Sequence, residues 1–457
     1  MKKLFAGVLA AALAVNLAAC GGGAQGTTTE TAAGGAAGTS SEAQDITLKL
    51  SFNGDFTTLA DAVVGAAERV NERYAAEGKN ITVKVEADLQ TIDNNEFHNN
   101  IVFAHKSGDA PDIFLSDPDI AGYVEAGCAL DITDAMTDKL VDNVTIPCTV
   151  DGKVYMMPCD MPLRVMYYNT NDLKTLGWTQ EQIDALPQQI ATGEFTLEQF
   201  IGLCEEVVDK GAATYGLVHR PSAGNDFYDL LNALGGTYFD ENNQLVFDEA
   251  AILRMFELLY NNAQVSKITP DNLNQMGWDT INKMVGTGEA FAYFGPMFSA
   301  TYVANAAGLE NDVFAAQEAF VLFPKSENSE KAFCTAAPQF LAISADTKYP
   351  EVCKDVFREM QAGSADLMAH HSAETFSLSS VKEANTLSEI TESPILSPVT
   401  YMADYAQFIP AIDNSNALRG LIFDQIASLE LGQTTPDKAI ADLKTQAELN
   451  LDGLIMK

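Results

Sequence analysis

The sequence predicts an α/β fold with mostly parallel sheets flanked by helices. Between Ile46 and Leu115, strand-like and helix-like patterns alternate in the order β-α-β-α-β, which implies a parallel sheet with crossover helices. The chain has 457 residues, enough for two or three domains at about 150 residues each. Its composition, 47% hydrophobic and 20% charged, is globular and excludes a wholly disordered, collagenous or polytopic membrane protein.

The first block of elements follows from local patterns in chain order. Residues Ile46–Phe52 alternate apolar and polar side chains, as a strand does. Thr57 is a predicted N-cap, and the apolar residues from Leu59 to Val70 recur at helical spacing. The elements that complete this block are a strand at Ile81–Val85, a helix beginning near Asp93 and a buried strand at Ile113–Leu115.

A second block of elements follows Pro158, and the absence of a 20–50-residue period argues against a solenoid or propeller. The acidic tip of a predicted hairpin, residues 240–243, lacks the Gly and the terminal Glu of a calcium loop, so we favour a simple turn there. The predicted elements are a strand at Arg164–Asn169, a helix at Phe195–Val208 capped by Thr196, the hairpin Tyr238–Phe247, a helix beginning at Thr280–Val285, a strand at Ala290–Phe294, and helices at Val356–Met360 and Leu421–Leu431.

The carboxyl ends of the first and third strands are candidate ligand positions, because open parallel sheets bind ligands outside those ends. The loops Asn53–Phe56 and Ser116–Asp119 lie there. Asp55, Asp117 and Asp119 are therefore candidate ligand contacts. Each is equally typical of a helix N-cap or a turn, and Asp-Pro is a common turn dipeptide.

The charge balance is strongly acidic, with 27 Lys and Arg against 63 Asp and Glu, a net charge of −36. Such a field repels phosphate backbones and argues against nucleic-acid binding. It disfavours anionic ligands without excluding them. A solvent-facing exported protein fits this balance.

No motif of a known catalytic class is present. The chain contains no G-x-S-x-G, P-loop or H-E-x-x-H pattern, so we expect no enzyme and no cofactor. Abundant carboxylates leave a secreted glycoside hydrolase as an alternative. Five His in all argue against a metal site, and the one clustered pair, His370-His371, is interpreted as a surface helix end.

The N-terminus has the pattern of an export signal. Lys2 and Lys3 precede an apolar stretch, Leu4–Val15, that is too short to cross a bilayer core of roughly 30 Å. Leu17–Cys20 then resembles the lipobox of bacterial lipoproteins, which implies a signal peptide at 1–19 and lipidation of Cys20. An ordinary signal peptide is the alternative. The Gly-, Ala-, Thr- and Ser-rich residues 20–44 are expected to be a flexible tether.

The remaining six cysteines contain no C-x-x-C pair, so a zinc ribbon or thioredoxin-type motif is absent. An exported chain can pair its cysteines, and Cys148 and Cys159 flank a predicted hairpin. Buried free thiols are the alternative, and the pattern leaves both open. The other four are Cys128, Cys204, Cys334 and Cys353.

Several segments, in a shared order along the chain, resemble the extracellular solute-binding proteins of ABC importers, in the branch that includes maltose-binding proteins. Each match alone is weak, but the order extends from about Ile46 to the C-terminus. The matching segments are Gly108–Ile113, Gly122–Gly127, Leu130–Thr133, Asp151–Pro158, Tyr168–Leu173, Gly177-Trp178, Phe195–Phe200, Gly288–Phe291, Gly295-Pro296, Leu322–Lys325 and Leu431–Ala439.

This resemblance implies a two-lobed periplasmic-binding-protein-like fold of type II, with a hinge between the lobes and the ligand in the cleft. It places the N-terminal lobe at 45–160 and 325–390, and the C-terminal lobe at 161–324 and 391–457. The implied function is capture of a sugar or oligosaccharide and its delivery to an ABC permease. We expect a monomer, lipid-anchored on the extracytoplasmic face of the cell membrane, with a Gram-positive surface favoured over a periplasmic location.

The resemblance also implies ligand contacts beyond the strand-end Asp residues. Tyr168 is assigned equally to the cleft or the core, and Asp226 and Phe227 are equally typical of a helix start. In the turn after Gly295-Pro296 the family often has a Trp that stacks on sugar; here Met297 occupies that position, and Phe294 or Phe298 is a substitute. The implied contacts are Asp160, Met161, Tyr168, Asp226, Phe227, Phe294, Met297, Gln339 and Arg419.

A polyamine or another cationic solute is the alternative ligand. Asp55, Asp117, Asp160 and Asp226 would together form an acidic pocket for such a solute. Trp278 is assigned to the core.

Overall fold

The computed structural model describes residues 43–54, 57–116, 120–412 and 414–457. The predicted signal peptide, Cys20 and most of the predicted tether lie outside the described residues. So do three of the predicted ligand contacts, namely Asp55, Asp117 and Asp119. Residues Ala43–Lys457 form one unit, which contains all the elements below.

The strands are numbered in chain order. They are β1 (Gln44–Asn53), β2 (Ile81–Gln90), β3 (Ile113–Ser116), β4 (Thr149–Val150), β5 (Lys153–Val154), β6 (Met156–Pro158), β7 (Asp160–Met161), β8 (Leu163–Asn169), β9 (Tyr215–Val218), β10 (Val246–Phe247), β11 (Ala290–Pro296), β12 (Glu318–Val321), β13 (Cys334–Ala336), β14 (Phe340–Ile343), β15 (Leu378–Ser379), β16 (Ala406–Phe408) and β17 (Ile455–Met456).

The helices are numbered in the same way. They are α1 (Thr58–Ala76), α2 (Asn94–Ser107), α3 (Ile120–Glu125), α4 (Thr170–Thr175), α5 (Gln180–Thr192), α6 (Leu197–Asp209), α7 (Asp226–Ala233), α8 (Glu249–Tyr260), α9 (Trp278–Gly286), α10 (Ser299–Ala307), α11 (Asn311–Gln317), α12 (Pro350–Ala362), α13 (Ala365–Glu374), α14 (Ser388–Thr391), α15 (Ser415–Glu430) and α16 (Pro436–Asn450).

Two sheets organise the described chain, and each has one reversed strand. The first sheet has the order β2-β1-β3-β14-β6, in which β14 is antiparallel to both of its neighbours. The second has the order β16-β13-β8-β11-β9, with β12 also paired to β8. There β8 is antiparallel to β11, β12 and β13. The predicted mostly parallel sheets are therefore confirmed, with β14 and β8 as the exceptions.

The chain crosses between the two sheets three times. It passes from β6 to β8, returns from β13 to β14, and reaches the second sheet again at β16. Because Cys334–Ala336 is hydrogen-bonded into the second sheet, the return crossing follows Ala336. The predicted boundary at residue 325 assigns Cys334–Ala336 to the N-terminal lobe. In the structure this strand instead pairs with β8 and β16 of the second sheet. Elsewhere the lobe boundaries stay a prediction.

Local sequence explains the elements nearest the cleft. Alternate side chains of β1 are buried at its start, and α1 buries one apolar face against the first sheet. Helix α2 begins where the Asp93 side chain accepts hydrogen bonds from the backbone N–H groups of Asn95 and Glu96, and it ends at Gly108 with φ 75°. Thr196 and Gln199 form a capping box at the start of α6.

Two predictions of side-chain exposure are wrong in the structure. Trp278, assigned to the core, is 41% exposed at the start of α9. His371, assigned to a surface helix end, is completely buried, whereas His370 on the next position of α13 is exposed. The buried His371 contacts Asp160 and Thr58, which are distant in the sequence and which the local pattern of α13 does not reveal.

The six described cysteines are free and buried. Cys148 and Cys159 are not paired. Of the two alternatives left open by the sequence, the structure shows buried free thiols. Among the described residues, no helix is both long enough and apolar enough to span a bilayer.

Candidate ligand-binding cleft

A cavity of about 410 Å³ lies between the two lobes. Most of its lining comes from the first lobe and the crossing segments, and the second lobe contributes two aromatic rings. The lining residues are Phe52, Asn53, Gly54, Thr91, Ile92, Asn94, Phe97, Leu115, Ser116, Tyr123, Asp160, Pro162, Phe298, Tyr302, Ala337, Pro338, Gln339, Thr375 and Ser377.

The strand-end position predicted for the ligand is part of this cavity. Asn53 ends β1 and Ser116 ends β3, and these strands are parallel neighbours. The Asn53 side-chain amide donates to the Ile92 carbonyl at 3.1 Å and to Asn94 Oδ1 at 3.0 Å, while its oxygen accepts from the Ile92 N–H at 3.0 Å. Asn53 is therefore held in one orientation at the cavity wall.

Asp160 forms the floor of the cavity at the first crossing. It is 2% exposed and accepts a hydrogen bond of 2.7 Å from the backbone N–H of Gln339. The other carboxylate oxygen lies 3.5 Å from His371 Nε2, and His371 Nδ1 is hydrogen-bonded to Thr58 Oγ1 at 2.9 Å. The carboxylate thus contacts groups from two other segments of the chain, and Thr58 of α1 positions one of them, the His371 ring.

Gln339 has an unused hydrogen-bonding atom beside this carboxylate. Its side-chain oxygen Oε1 is buried and has no hydrogen-bond partner among the described residues. A buried acceptor without a partner costs free energy. A hydroxyl group of a bound solute would supply the missing donor.

The second lobe presents aromatic rings to the solvent at this end of its sheet. Phe298 is 37% exposed, while Tyr302 and Trp278 are each 41% exposed. Phe298 and Tyr302 line the cavity from the start of α10. Flat apolar rings with exposed faces are suited to stacking on the C–H faces of a sugar ring.

Five of the predicted contacts are packed in the core instead of the cavity lining. In the turn after Pro296, the Met297 side chain points inward and the next residue, Phe298, faces the cavity. Of the two side chains in this turn, Phe298 lines the cavity and Met297 does not. The five residues, each at most 1% exposed, are Met161, Tyr168, Phe227, Phe294 and Met297.

Asp226 is not an open acidic site. It is buried at the start of α7 and pairs with the Arg164 guanidinium, and its other oxygen accepts from Arg220 Nη1 at 2.9 Å. Asp229, one turn later, accepts from Arg164 Nε at 2.8 Å and from Thr335 Oγ1 at 2.7 Å. Burial raises the pKa of Asp229 to about 6, although Arg164 acts in the opposite direction.

Arg419 belongs to the same group of charges. Its Nη1 donates to Asn225 Oδ1, a neutral partner. Burial lowers the pKa of Arg419, and the positive charges of Arg220 and Arg164 lower it further. The structure therefore brings two predicted contacts, Asp160 and Gln339, into the cavity, and places two others, Asp226 and Arg419, in a charged cluster of the second lobe.

Several residues at the cleft were missed by sequence reasoning. The sequence pattern predicts only a strand at Arg164, because the pairing of Arg164 with Asp226 spans 62 residues. Tyr302 lies one helical turn after Phe298 and therefore on the same face of α10. This spacing is visible in the sequence and would have indicated Tyr302 as a second aromatic contact. Among the described residues, no group of three or more His, Cys, Asp or Glu has the arrangement of a metal site.

Two sheet-based lobes, three crossings and a cavity between the lobes define a protein of the type II periplasmic-binding class. The chain belongs to the family described as bacterial extracellular solute-binding protein, whose profile matches residues 54–362. This family binds substrates and is not a family of enzymes.

Solved structures of this class superpose over most of the chain. Maltose-bound MalE3 of T. maritima has a TM-score of 0.67 at 15% identity, covering 89% of this chain and 100% of that one. A cyclo/maltodextrin-binding protein complexed with maltotetraose has a TM-score of 0.67 at 16% identity, covering 89% and 98%. At this identity the likeness shows the fold.

Curated relatives match a shorter region. The maltodextrin-binding protein MdxE of Bacillus subtilis is 27% identical over 243 residues, which is 53% of this chain and 49% of that protein. An arabinooligosaccharide-binding protein of Halalkalibacterium halodurans is 25% identical over 219 residues, or 46% and 43%. The chain thus spans about half the length of the curated relatives that it matches.

Proposed function

We propose that this protein captures a sugar or oligosaccharide in the cavity between its lobes and delivers it to the permease of an ABC importer. The observation that carries the proposal is the cavity itself. It combines polar groups held by the first lobe with exposed rings of the second lobe. The polar groups can hydrogen-bond to sugar hydroxyls, and the exposed rings can stack on the C–H faces of the sugar.

Two kinds of contact would contribute to the binding free energy. Buried hydrogen bonds contribute about 1 kcal/mol each, and apolar contact with the rings adds to them. Because the solute contacts both lobes only when they are closed, binding shifts the population toward the closed form.

The residues that we assign to the ligand are those at the cavity. Asp160 and Gln339 serve as acceptors for solute hydroxyls, and Phe298 and Tyr302 provide stacking surfaces. The names of the matched relatives, which bind maltodextrin and arabino-oligosaccharide, support a saccharide. Asp55, Asp117 and Asp119, outside the described residues, are retained as predicted contacts of the same strand ends.

The anchor and the location are part of the same proposal. Lipidation of Cys20 would hold the protein on the extracytoplasmic face of the membrane, where a permease recognises the closed form. Palmitate labelling of the wild-type protein and of Cys20→Ala in a bacterial host tests this directly. Loss of the label in Cys20→Ala supports the anchor, and equal labelling of both proteins contradicts it.

A polyamine ligand has weaker support than a saccharide. One of the four acidic residues that would form its pocket, Asp226, is already paired with two arginines. A thermal-unfolding screen over saccharides, polyamines and amino acids separates the two. Stabilisation by a saccharide supports the proposal, whereas stabilisation by polyamines alone rejects it. Incubation with the stabilising saccharide, followed by product analysis, tests the hydrolase alternative.

A further inference from the structure

The second lobe concentrates positive charge beside the cleft in a chain that is otherwise strongly acidic. The chain has a net charge of −36 and contains only seven arginines. Three of them, Arg164, Arg220 and Arg419, are close enough that the first two depress the pKa of the third. Placing like charges together is costly unless a partner anion offsets them. We call these three residues the arginine cluster.

The carboxylates of the protein do not fully balance the arginine cluster. Asp226 and Asp229 pair with Arg164, and Asp226 also pairs with Arg220. Arg419 makes its hydrogen bond to the neutral Asn225 side chain, and no ion pair joins it to a carboxylate of the described residues. Three guanidinium groups therefore face two carboxylates, which leaves one positive charge in excess.

Two guanidinium nitrogens of the cluster are also unused. The Nε atoms of Arg220 and Arg419 are buried and have no hydrogen-bond partner among the described residues. A guanidinium Nε–H and one Nη–H form the fork that binds a carboxylate through two parallel hydrogen bonds. Unsatisfied donors of this kind, next to an excess positive charge, match a planar anion.

Strand register places the cluster next to the cavity. Arg164 is paired with Pro296 of β11 and with Thr335 of β13. Two residues beyond each partner lie Phe298 and Ala337, which line the cavity. Pro162, two residues before Arg164 in the chain, also lines the cavity. The strand register thus places Arg164 two residues from cavity-lining positions along each of three chain segments.

The local packing holds Arg220 in this place. The Arg220 guanidinium lies over the exposed Trp278 ring, 5.3 Å from its centroid. On the other side it lies against Gly224, where an added Cβ would be 2.0 Å from Nη1. The absence of a side chain at position 224 thus makes room for the guanidinium.

We propose that the arginine cluster binds a carboxylate of the transported saccharide, so that the physiological ligand is an acidic, uronic-acid-containing oligosaccharide. This inference rests on the proposed function, because it specifies the ligand of the same cleft. Arg419 is the specificity-determining residue, since it has no carboxylate partner in the described protein. The adjacent exposed ring of Trp278 stacks on the sugar that carries the acid.

Isothermal titration of the full chain with paired saccharide panels tests the inference. The neutral panel contains malto-, xylo- and arabino-oligosaccharides, and the acidic panel contains glucuronosyl-xylo-oligosaccharides and oligogalacturonides. We expect an acidic saccharide to bind at least tenfold more tightly than any neutral one. We also expect its affinity to fall as NaCl is raised, because salt screens the charge interaction. This arm uses the wild-type protein and needs no variant.

Arg419→Gln is expected to abolish the tenfold preference for the acidic saccharide. Arg254→Gln is the matched control. Arg254 is a partly buried arginine of α8 whose Nε donates to the Leu234 carbonyl at 3.1 Å, and it is not part of the arginine cluster. The control variant should keep the preference, and circular dichroism verifies that both variants are folded.

The outcomes separate this inference from the proposed function. Binding of a neutral saccharide as tightly as any acidic one overturns the inference and leaves the proposed function intact. Preservation of the acidic preference in Arg419→Gln also overturns it. Binding of no saccharide from either panel rejects the proposed function, and the inference with it.

Discussion

The carboxylate of Asp160 accepts a 2.7 Å hydrogen bond from the backbone N–H of Gln339, and this bond joins two of the three segments that cross between the sheets. The third crossing begins nearby, because β15 pairs with β7 so that Ser379 lies opposite Asp160. The floor of the cavity and the connection between the lobes are therefore the same place. A solute that contacts Asp160 acts directly on the segments that must bend during closure.

The first testable consequence concerns the ring of Phe298. Phe298→Ala removes a half-exposed ring that lines the cavity, so we expect saccharide affinity to fall roughly tenfold, which corresponds to about 1.4 kcal/mol. Titration calorimetry with the saccharide from the screen measures this change. Phe103→Ala, which removes an exposed ring of α2 at 67% exposure, is the control. Equal affinities of both variants and the wild type would remove Phe298 from the site.

Met297→Ala should affect folding more than binding. The family motif predicts a ligand contact at this position, but the side chain is 1% exposed and packed in the core. Truncating a buried Met typically lowers the free energy of unfolding by about 2–5 kcal/mol. Urea denaturation monitored by circular dichroism checks the expected loss. An unchanged midpoint combined with weaker saccharide binding would restore Met297 to the binding site.

Stability should depend on pH through Asp172 of α4. Its Oδ2 atom is buried without a hydrogen-bond partner among the described residues, and burial raises its pKa from the ordinary 3.8 to about 7. The folded state therefore holds this proton more tightly than the unfolded state. The free energy of unfolding should consequently fall as pH rises from about 4 to about 7.

Asp172→Asn removes this titration and should stabilise the protein at pH 8 by about 1–2 kcal/mol. Denaturant unfolding at pH 5 and pH 8 measures the difference. The exposed Asp184, whose carboxylate accepts from Gln180 Nε2 at 2.8 Å, supplies the control Asp184→Asn. A variant Asp172→Asn that is no more stable at pH 8 than the wild type would contradict the account.

The buried cysteines should be unreactive in the folded protein. Burial raises the pKa of Cys148 to about 12 and that of Cys353 to about 12, which leaves almost no thiolate at neutral pH. In Cys20→Ala protein we expect a thiol-specific chromogenic disulfide reagent to detect no thiol while folded. The same reagent should detect six after unfolding without reductant. Fewer than six would indicate a disulfide.

The sequence predicts elements whose signals are local. The alternation in β1, the Asp93 cap of α2 and the Thr196 capping box of α6 are each contained within a few neighbouring residues. The sequence also predicts the position of the cavity at the strand ends, because parallel neighbours such as β1 and β3 end at the same edge of the sheet. These features need no information about distant contacts.

The charge pairs and the orientation of the stacking turn depend on distant contacts. Asp226 pairs with Arg164 from another element as well as with the nearby Arg220, and the sequence gives no signal for the more distant of these two partners. The buried His371 contacts Asp160 of the first crossing and Thr58 of α1, which are both far from it in the sequence. Whether Met297 or Phe298 lines the cavity depends on the orientation of one turn. Hydrophobic periodicity predicts the orientation of helices and strands but not that of a single turn.

Small-angle scattering during a saccharide titration tests the central claim most directly. If the lobes close on a solute bound between them, the radius of gyration should decrease and reach a plateau at the same saccharide concentration that saturates binding. A radius of gyration that stays constant while the saccharide saturates its site would contradict closure of the lobes around the ligand.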